Sequence, residues 1–373
     1  MRKMVFMSSP GLWVQGHGEG HPLKPERLMR TVALLEAYGA LDAPNVQVVA
    51  PRLATIDELA LFHTPDYIDA VHSLSAGERR VSANNYGFAS GDNPIFDGMF
   101  ETESLKAGSS LQAAQLLMAG ACDVAFSFGG GLHHAMPGYA SGFCVFNDAA
   151  VAIQWLVNAG ARVAYVDVDA HHGDGVQTGF YKSNQVLTIS LHQDGRTLFP
   201  GTGFVNEIGI GLGEGYSVNV PLAPSTDDET YLWAFDQIVP PLLDRFSADI
   251  VVTQLGVDTH FLDPLTHLML TTAGQKAIYE RLAHYAPRWL ALGGGGYAID
   301  VVPRSWSIAF GVMASLSLPD KLPDAYRQRF GGEWLEDKRG PMIDQATRDY
   351  VHRHTEKVVD AVKKIHLISS IPR

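Results

Sequence analysis

The sequence predicts a three-layer α/β fold, a central and mostly parallel sheet flanked by helices. Two observations carry this. Short apolar runs rich in β-branched residues end abruptly at polar or glycine residues, and amphipathic helical patterns separate them. Near-continuous apolar strands belong to a sheet buried on both faces, and the intervening helices are what covers it.

In chain order, residues 148–160 place Ala149, Ala152, Ile153, Leu156 and Val157 on one helical face, and Gly160 stops the pattern. Residues 162–168 (Arg-Val-Ala-Tyr-Val-Asp-Val) and 185–191 (Gln-Val-Leu-Thr-Ile-Ser-Leu) read as strands. Residues 226–246 form a second helix, with Thr226 the expected N-cap and Asp227, Asp228 and Glu229 complementing the first-turn dipole. Pro240 and Pro241 predict a kink or break late in it, because proline lacks the N–H a helix needs. Residues 249–255 and 289–292 are the third and fourth strands. From about Leu318 the charge rises, and 345–365 reads as one helix of a packing extension.

The chain has 373 residues, 46% hydrophobic and 18% charged, enough for a large core. No repeat, low-complexity tract or Ser/Gly linker divides it, so one domain over 1–373, with a helical extension from about 318, is expected. A net charge of −12 argues against nucleic acid or an anionic membrane as partner and suits a cationic ligand. Cys122 and Cys144 cannot build a disulfide framework, which points to a reducing compartment. Residues 1–7 reach Ser8, Ser9 and Pro10 before a signal-peptide apolar region forms, and no apolar run approaches the ~20 residues of a membrane span. A cytoplasmic protein is expected.

In open α/β sheets, ligands bind beyond the carboxyl ends of the strands. The first of the four strands ends as Asp167-Val168-Asp169-Ala170-His171-His172-Gly173-Asp174-Gly175. So many carboxylates and imidazoles beside a buried strand are costly unless they hold a cation or each other. Asp169 and His171 stand two apart, so extended backbone points them to one side. The third strand ends at Asp258, a third ligand. Two carboxylates and one imidazole leave an open position, as a catalytic zinc requires. An Asp-x-His pair alone would read as a surface turn; the apolar run before it reverses that reading.

His133 and His134 follow Gly129, Gly130 and Gly131 and precede Pro137 and Gly138, which puts them in a loop. Beside a metal site, two adjacent imidazoles read as general acid/base groups, with Asp167 and Asp174 the spare carboxylates able to orient them. The fourth strand runs into Gly293, Gly294, Gly295 and Gly296 and then Tyr297, whose hydroxyl can reach a substrate oxygen. No Lys-Ser/Thr follows, as a phosphate-binding loop would need.

These residues resemble the zinc-dependent histone deacetylase family. The resemblance rests on residues 131–148 with their tandem histidines, the 167–175 motif, Leu198-Phe199-Pro200-Gly201-Thr202-Gly203, Gln254-Leu255-Gly256-Val257-Asp258 and 293–297. Gly130-Gly131-Leu132-His133-His134-Ala135-Met136, residues 260–268 and His21-Pro22-Leu23-Lys24-Pro25-Glu26-Arg27-Leu28 are most similar to its bacterial acetoin utilization deacetylases. The resemblance implies an arginase/deacetylase-like fold and one catalytic zinc held by Asp169, His171 and Asp258. It implies His133 and His134 as the tandem histidines, backed by Asp167 and Asp174, with His134 the general base and acid and Tyr297 the carbonyl donor. Gly142, Phe143 and Phe199 would line the acyl-lysine channel, Leu265 its rim, and Asp92 would grip the substrate backbone. The family also binds potassium, which implies an inner site at Asp167, Asp169, His171, Ser190 and Leu191 and an outer one at Phe180, Ser183, Val186 and Tyr216. The implied substrate is an acyl-lysine protein or peptide, with an acetylated polyamine as the alternative.

Two other classes compete. A binuclear manganese ureohydrolase needs Asp-x-His-x-Asp and Asp-x-Asp, whereas Gly173 and His260 stand where further ligands would be. A non-catalytic acyl-lysine binder predicts loss of an essential group, whereas His133, His134, Asp169, His171, Asp258 and Tyr297 are all present.

Overall fold

The computed structural model describes residues 2–78, 81–88 and 91–368. Its strands are β1 (Met4–Met7), β2 (Val46–Val49), β3 (Val124–Ser127), β4 (Val163–Asp167), β5 (Val186–Gln193), β6 (Ser217–Leu222), β7 (Ile250–Gln254) and β8 (Trp289–Leu292). They form one sheet in the order β2-β1-β3-β8-β7-β4-β5-β6, and every pairing is parallel rather than mostly so.

The helices are α1 (Glu26–Ala37), α2 (Ile56–Leu59), α3 (Pro65–Ser75), α4 (Met99–Met118), α5 (Asp148–Asn158) and α6 (Asp174–Phe180). After them come α7 (Asp228–Phe246), α8 (Thr272–Tyr285), α9 (Val302–Ala314), α10 (Asp324–Phe330) and α11 (Gln345–Lys363). Strand alternation sorts the core into two layers. Met4, Phe6, Val166, Ile189 and Trp289 pack with α1, α7, α8 and α9 on one face. Val5, Met7, Tyr165, Val252 and Leu290 pack with α4, α5 and α6 on the other. Among the described residues no helix is long and apolar enough to cross a membrane.

Two expectations need correction. The N-cap of α7 is Asp227, whose side chain accepts from Thr230 N at 3.2 Å, rather than Thr226. The helix also continues through Pro240 and Pro241 without a break. Each internal proline costs about 3 kcal/mol. Against that, Ile238, Val239, Leu242, Leu243 and Phe246 are buried, at roughly 1.5–3 kcal/mol each for a large apolar side chain. Burial outweighs the lost hydrogen bonds.

The C-terminal extension continues beyond α11 in a π-helical turn (Lys364–Ile368). Val358, Val359 and Val362 of α11 join the α7 layer of the core, and His366 Nδ1 lies 3.1 Å from Gly215 O, just before the edge strand β6.

Candidate active site

β3, β8, β7 and β4 are consecutive in the sheet, and their carboxyl ends are level: Asp167 pairs with Gln254, Gln254 with Leu292, and Leu292 with Ser127. Loops far apart in sequence therefore open into one crevice.

Asp169, His171 and Asp258 meet there, buried, with one ligand atom of each within 4.8 Å of the others. His171 Nδ1 lies 3.1 Å from Asp169 Oδ1 and 3.0 Å from Asp258 Oδ2. The outward oxygens are pinned: Gln254 Nε2 donates to Asp169 Oδ2 at 2.6 Å, Gly295 N to the same oxygen at 2.8 Å, and Ala170 N to Asp258 Oδ1 at 2.8 Å. Burial opposes charge on His171, but the two carboxylates outweigh it and push the imidazole up to about 10. A divalent cation on the same three atoms would take over that neutralising role and displace the proton. The donor set suits a borderline ion such as zinc and leaves coordination positions open. Glycine is required alongside: a Cβ on Gly295 would stand 2.1 Å from Asp258 Oδ2 and 2.8 Å from Asp169 Oδ2.

Beside the triad stand two His–Asp dyads. His133 Nδ1 lies 2.7 Å from Asp167 Oδ2, His134 Nδ1 lies 2.7 Å from Asp174 Oδ1, and the two Nε2 atoms are 3.0 Å apart. Asp167 also accepts from the Tyr165 hydroxyl at 2.7 Å, and Asp174 opens α6. Burial lowers His134, and the charge of His133 lowers it further. His133 is buried too, yet Asp167 and Asp169 outweigh that and push it up to about 9.

Tyr297 leaves the glycine turn with its N–H donating to Asp263 Oδ2 at 2.8 Å, its ring 6.4 Å from that of His171. Burial, reinforced by Asp258 and Asp169, raises its hydroxyl well above the ordinary tyrosine range, so it is a donor. Gly142 and Phe143 are the central residues of a tight turn closed by the Ser141–Cys144 bridge, with φ of 52° and 68°. Such a turn requires positive φ at both positions, an uncommon state for phenylalanine. It turns the Phe143 ring edge-on to Tyr297, centroids 5.8 Å apart, while Phe199 stands edge-on to His134 at 5.0 Å. Phe199 is 44% exposed, which places it at the mouth.

A cavity of about 20 Å³ touches His133, His134, Phe143, Asp169 and Tyr297, and an open groove of about 630 Å³ reaches from Tyr297 and Pro264 to Val14 and His21. A cleft of about 270 Å³ beside Tyr326 and Trp334 involves none of the triad. Leu265 is half-buried, next to Pro264. Asp92 is exposed; its carbonyl lies 3.1 Å from His21 Nε2, and the His21 ring meets Phe143 at 4.5 Å. Ser90, two residues before Asp92, lies outside the described residues.

Of the inner potassium set, Asp167 and Ser190 are register partners, with Leu191 following and Asp169 and His171 in the loop above. Of the outer set, Phe180, Ser183 and Val186 lie along the turn from α6 into β5, and Tyr216 directly precedes β6. The carbonyls of Leu191, Phe180 and Tyr216 accept from Tyr231 Oη, Ser183 N and Thr188 N at 3.3, 2.9 and 2.9 Å. Each keeps a second lone pair for an ion.

Several supporting residues escaped sequence reasoning. Asp148 accepts from Gly131 N at 2.9 Å and Leu132 N at 2.8 Å, setting the backbone ahead of His133. Arg27, buried on α1, donates to Gly294 O at 2.6 Å and lies over Trp306 at 5.1 Å, bracing the glycine turn. Asp263 and Gln254 orient Tyr297 and Asp169. Asp148, Arg27 and Gln254 lie within quoted motifs, but only the folded chain shows what they hold.

The fold and this site define a three-layer α/β hydrolase, with a carboxylate–histidine triad set beside paired His–Asp dyads. Residues 21–313 match the histone deacetylase domain, and the chain belongs to the histone deacetylase family. It is 44% identical to the acetoin utilization protein AcuC of Bacillus subtilis (strain 168) over 319 residues, 82% of this chain and 81% of the relative. It is 36% identical to histone deacetylase 19 of Arabidopsis thaliana, over 94% of this chain and 72% of the relative. The crystal structure of an HDAC homolog from Aquifex aeolicus superposes with a TM-score of 0.86 at 29% identity, over 96% of this chain and 100% of that one.

Proposed function

We propose that the chain is a zinc-dependent hydrolase that removes acetyl or other acyl groups from lysine side-chain amides of proteins. The observation that carries this reading is the convergence of the Asp169, His171 and Asp258 triad, both His–Asp dyads and Tyr297 at one narrow cavity. Asp169, His171 and Asp258 would hold the zinc, which when bound supplies a Lewis acid for the amide carbonyl and for water.

The chain's own groups do the rest. His134 Nε2 takes the proton of the attacking water, with Asp174 fixing Nδ1–H as the opposite donor. The same nitrogen returns the proton to the leaving lysine amine. His133, charged beside Asp167, holds positive potential next to that transfer. The Tyr297 hydroxyl donates to the carbonyl oxygen as it gains negative charge. Phe143 and Phe199 flank the alkyl chain and keep bulk water out. Potassium, if held at the inner positions, would offset the charge of Asp167 and Asp169.

We also read the chain as one domain of a cytoplasmic protein; both cysteines, Cys122 and Cys144, are free and buried. The ureohydrolase alternative has less support: among the described residues the clustered ligand set is a single triad, and His260 Nε2 is taken by Asp337 Oδ2 at 2.7 Å.

The test is a panel of acetyl-lysine peptides, longer acyl-lysine peptides and acetylpolyamines, assayed with and without chelator. Chelator-sensitive hydrolysis of the peptides is expected. A preference for acetylpolyamines would move the assignment to the polyamine class, and activity indifferent to chelator would overturn the metal mechanism.

A further inference from the structure

The histone deacetylase domain match ends at residue 313, and the extension that follows reads in the sequence as packing alone. One of its residues reaches back to the site. The Asp337 side chain, 9% exposed, gathers donors from three segments. His260 Nε2 lies 2.7 Å from Oδ2, Thr272 N donates to it at 2.9 Å and Thr272 Oγ1 at 3.0 Å, while Arg304 Nη1 donates to Oδ1 at 2.9 Å. Asp337 N returns a bond to Thr272 Oγ1 at 2.8 Å.

His260 is fully buried, and both its nitrogens are committed, since Nδ1 accepts from Leu262 N at 3.2 Å. That leaves Nε2–H as the donor to Asp337. Fixing this ring fixes the turn on which Asp258 sits, because His260 N donates to Val257 O at 3.0 Å. The same residue leads to Tyr297: His260 O accepts from Asp263 N at 2.8 Å, and Asp263 Oδ2 accepts from Tyr297 N at 2.8 Å. Thr266 Oγ1 closes the loop by donating to Asp258 O. Arg304, the fourth donor, stands on α9, which begins just after Tyr297.

We infer that Asp337 is a positioning residue through which the C-terminal extension sets the geometry of Asp258 and Tyr297. This rests on the reading of Asp258 as a metal ligand and Tyr297 as the carbonyl donor. A carboxylate with four donors is far less replaceable than a surface ion pair. Its loss frees the 258–266 loop at one end and slackens the backbone of Tyr297 at the other.

The test uses the full chain and three variants. Asp337→Asn keeps the shape but puts an amide donor where an acceptor is needed. Thr272→Val removes one hydroxyl from the cluster and guards against misfolding of the first variant. Arg348→Ala breaks the pair between α11 and Asp227 and loosens the extension elsewhere. Hydrogen exchange of the metal-free protein is read over 258–266 and 294–297, and zinc affinity by competition with a chelating dye.

For Asp337→Asn, exchange in both segments about 10-fold faster or more is expected, with zinc bound about 10-fold more weakly, the lower end of what losing a group bonded directly to a ligand costs. Thr272→Val should move both readouts the same way by less, and Arg348→Ala neither. For an acetyl-lysine peptide, kcat should fall with KM within about twofold. Exchange unchanged in these segments, or accelerated evenly over the whole chain, overturns the inference. Exchange and zinc binding are read without substrate, so a chain that hydrolyses no acyl amide would sink the proposed function while leaving this inference to stand or fall separately.

Discussion

The Nε2 atoms of His133 and His134 face each other at 3.0 Å while both Nδ1 atoms point at carboxylates. With each Nδ1–H donating to its aspartate, that contact is a hydrogen bond only if one proton lies between the two Nε2 atoms. The pair therefore holds one positive charge. The opposite directions in which the two imidazoles are driven assign it to His133 and leave His134 neutral, so the His134 Nε2 lone pair can take a water's proton once the His133 contact opens.

It follows that the two histidines are not interchangeable. His134→Ala is expected to lower kcat by about 10²–10⁴-fold, the usual worth of a positioned general base, with little change in KM. Adding His133→Ala to it should cost much less than His133→Ala costs alone, because the groups act as a unit. Steady-state kinetics of the two single variants and the double variant would show this. Strict multiplication of the losses would contradict the shared proton.

Tyr297→Phe removes one hydroxyl and leaves the Asp263 contact intact, since that bond uses the backbone N–H. A kcat loss of about 10²–10³-fold is expected, as for removal of one oxyanion donor. The unfolding free energy should change by no more than about 0.5 kcal/mol, the range of a neutral substitution. A variant that loses stability and activity together would make Tyr297 a packing residue.

Gly295→Ala tests the cradle around the triad. Its Cβ would meet Asp258 Oδ2 at 2.1 Å and Asp169 Oδ2 at 2.8 Å, and neither carboxylate can retreat without leaving the triad. Zinc content after dialysis should fall to a small fraction of the wild-type value, with the circular dichroism spectrum kept. In the wild type, zinc at 100 times its Kd should raise stability by about 2.7 kcal/mol, and the variant should lose that increment. Full zinc occupancy in Gly295→Ala would show that the metal sits elsewhere.

The sequence foretold this site better than the rest of the fold, for a physical reason. β4, β5, β7 and β8 are apolar runs cut off by the motifs themselves, so strand and site announce each other. β1 and β3 are four residues each, too short for periodicity to separate strand from helix, and β8, equally short, was readable only through the four-glycine turn that ends it. β6 carries Pro221, which argues against a strand until its place at the sheet edge is known. The triad, the dyads and Tyr297 were readable because ligand spacing and strand ends are local. Asp337 and His260 stand 77 positions apart, and no local pattern links them.

His63 gives the fold a pH dependence apart from the metal chemistry. It is 2% exposed, its Nε2 accepts from Asn147 N at 2.9 Å, and its Nδ1 faces Met136 O at 3.1 Å. Asn147 in turn donates to His133 O at 3.1 Å and Ala135 O at 3.0 Å, so the neutral ring supports the tandem-histidine loop. Burial pushes His63 down to about 4, outweighing the backbone carbonyls that favour its charge. The unfolded chain takes up this proton near pH 6.5, and the folded chain only near 4. Between those values the unfolded state binds more protons, so stability falls as the pH drops, by up to about 3 kcal/mol at pH 4 from this group. His63→Gln, which cannot titrate, should be less stable at pH 7 by about 1–3 kcal/mol and should close that gap in acid. Urea unfolding of the metal-free proteins at pH 7, 5.5 and 4.5 measures both curves. A difference between them that does not shrink with falling pH would mean that His63 takes its proton in the fold as readily as in the unfolded chain.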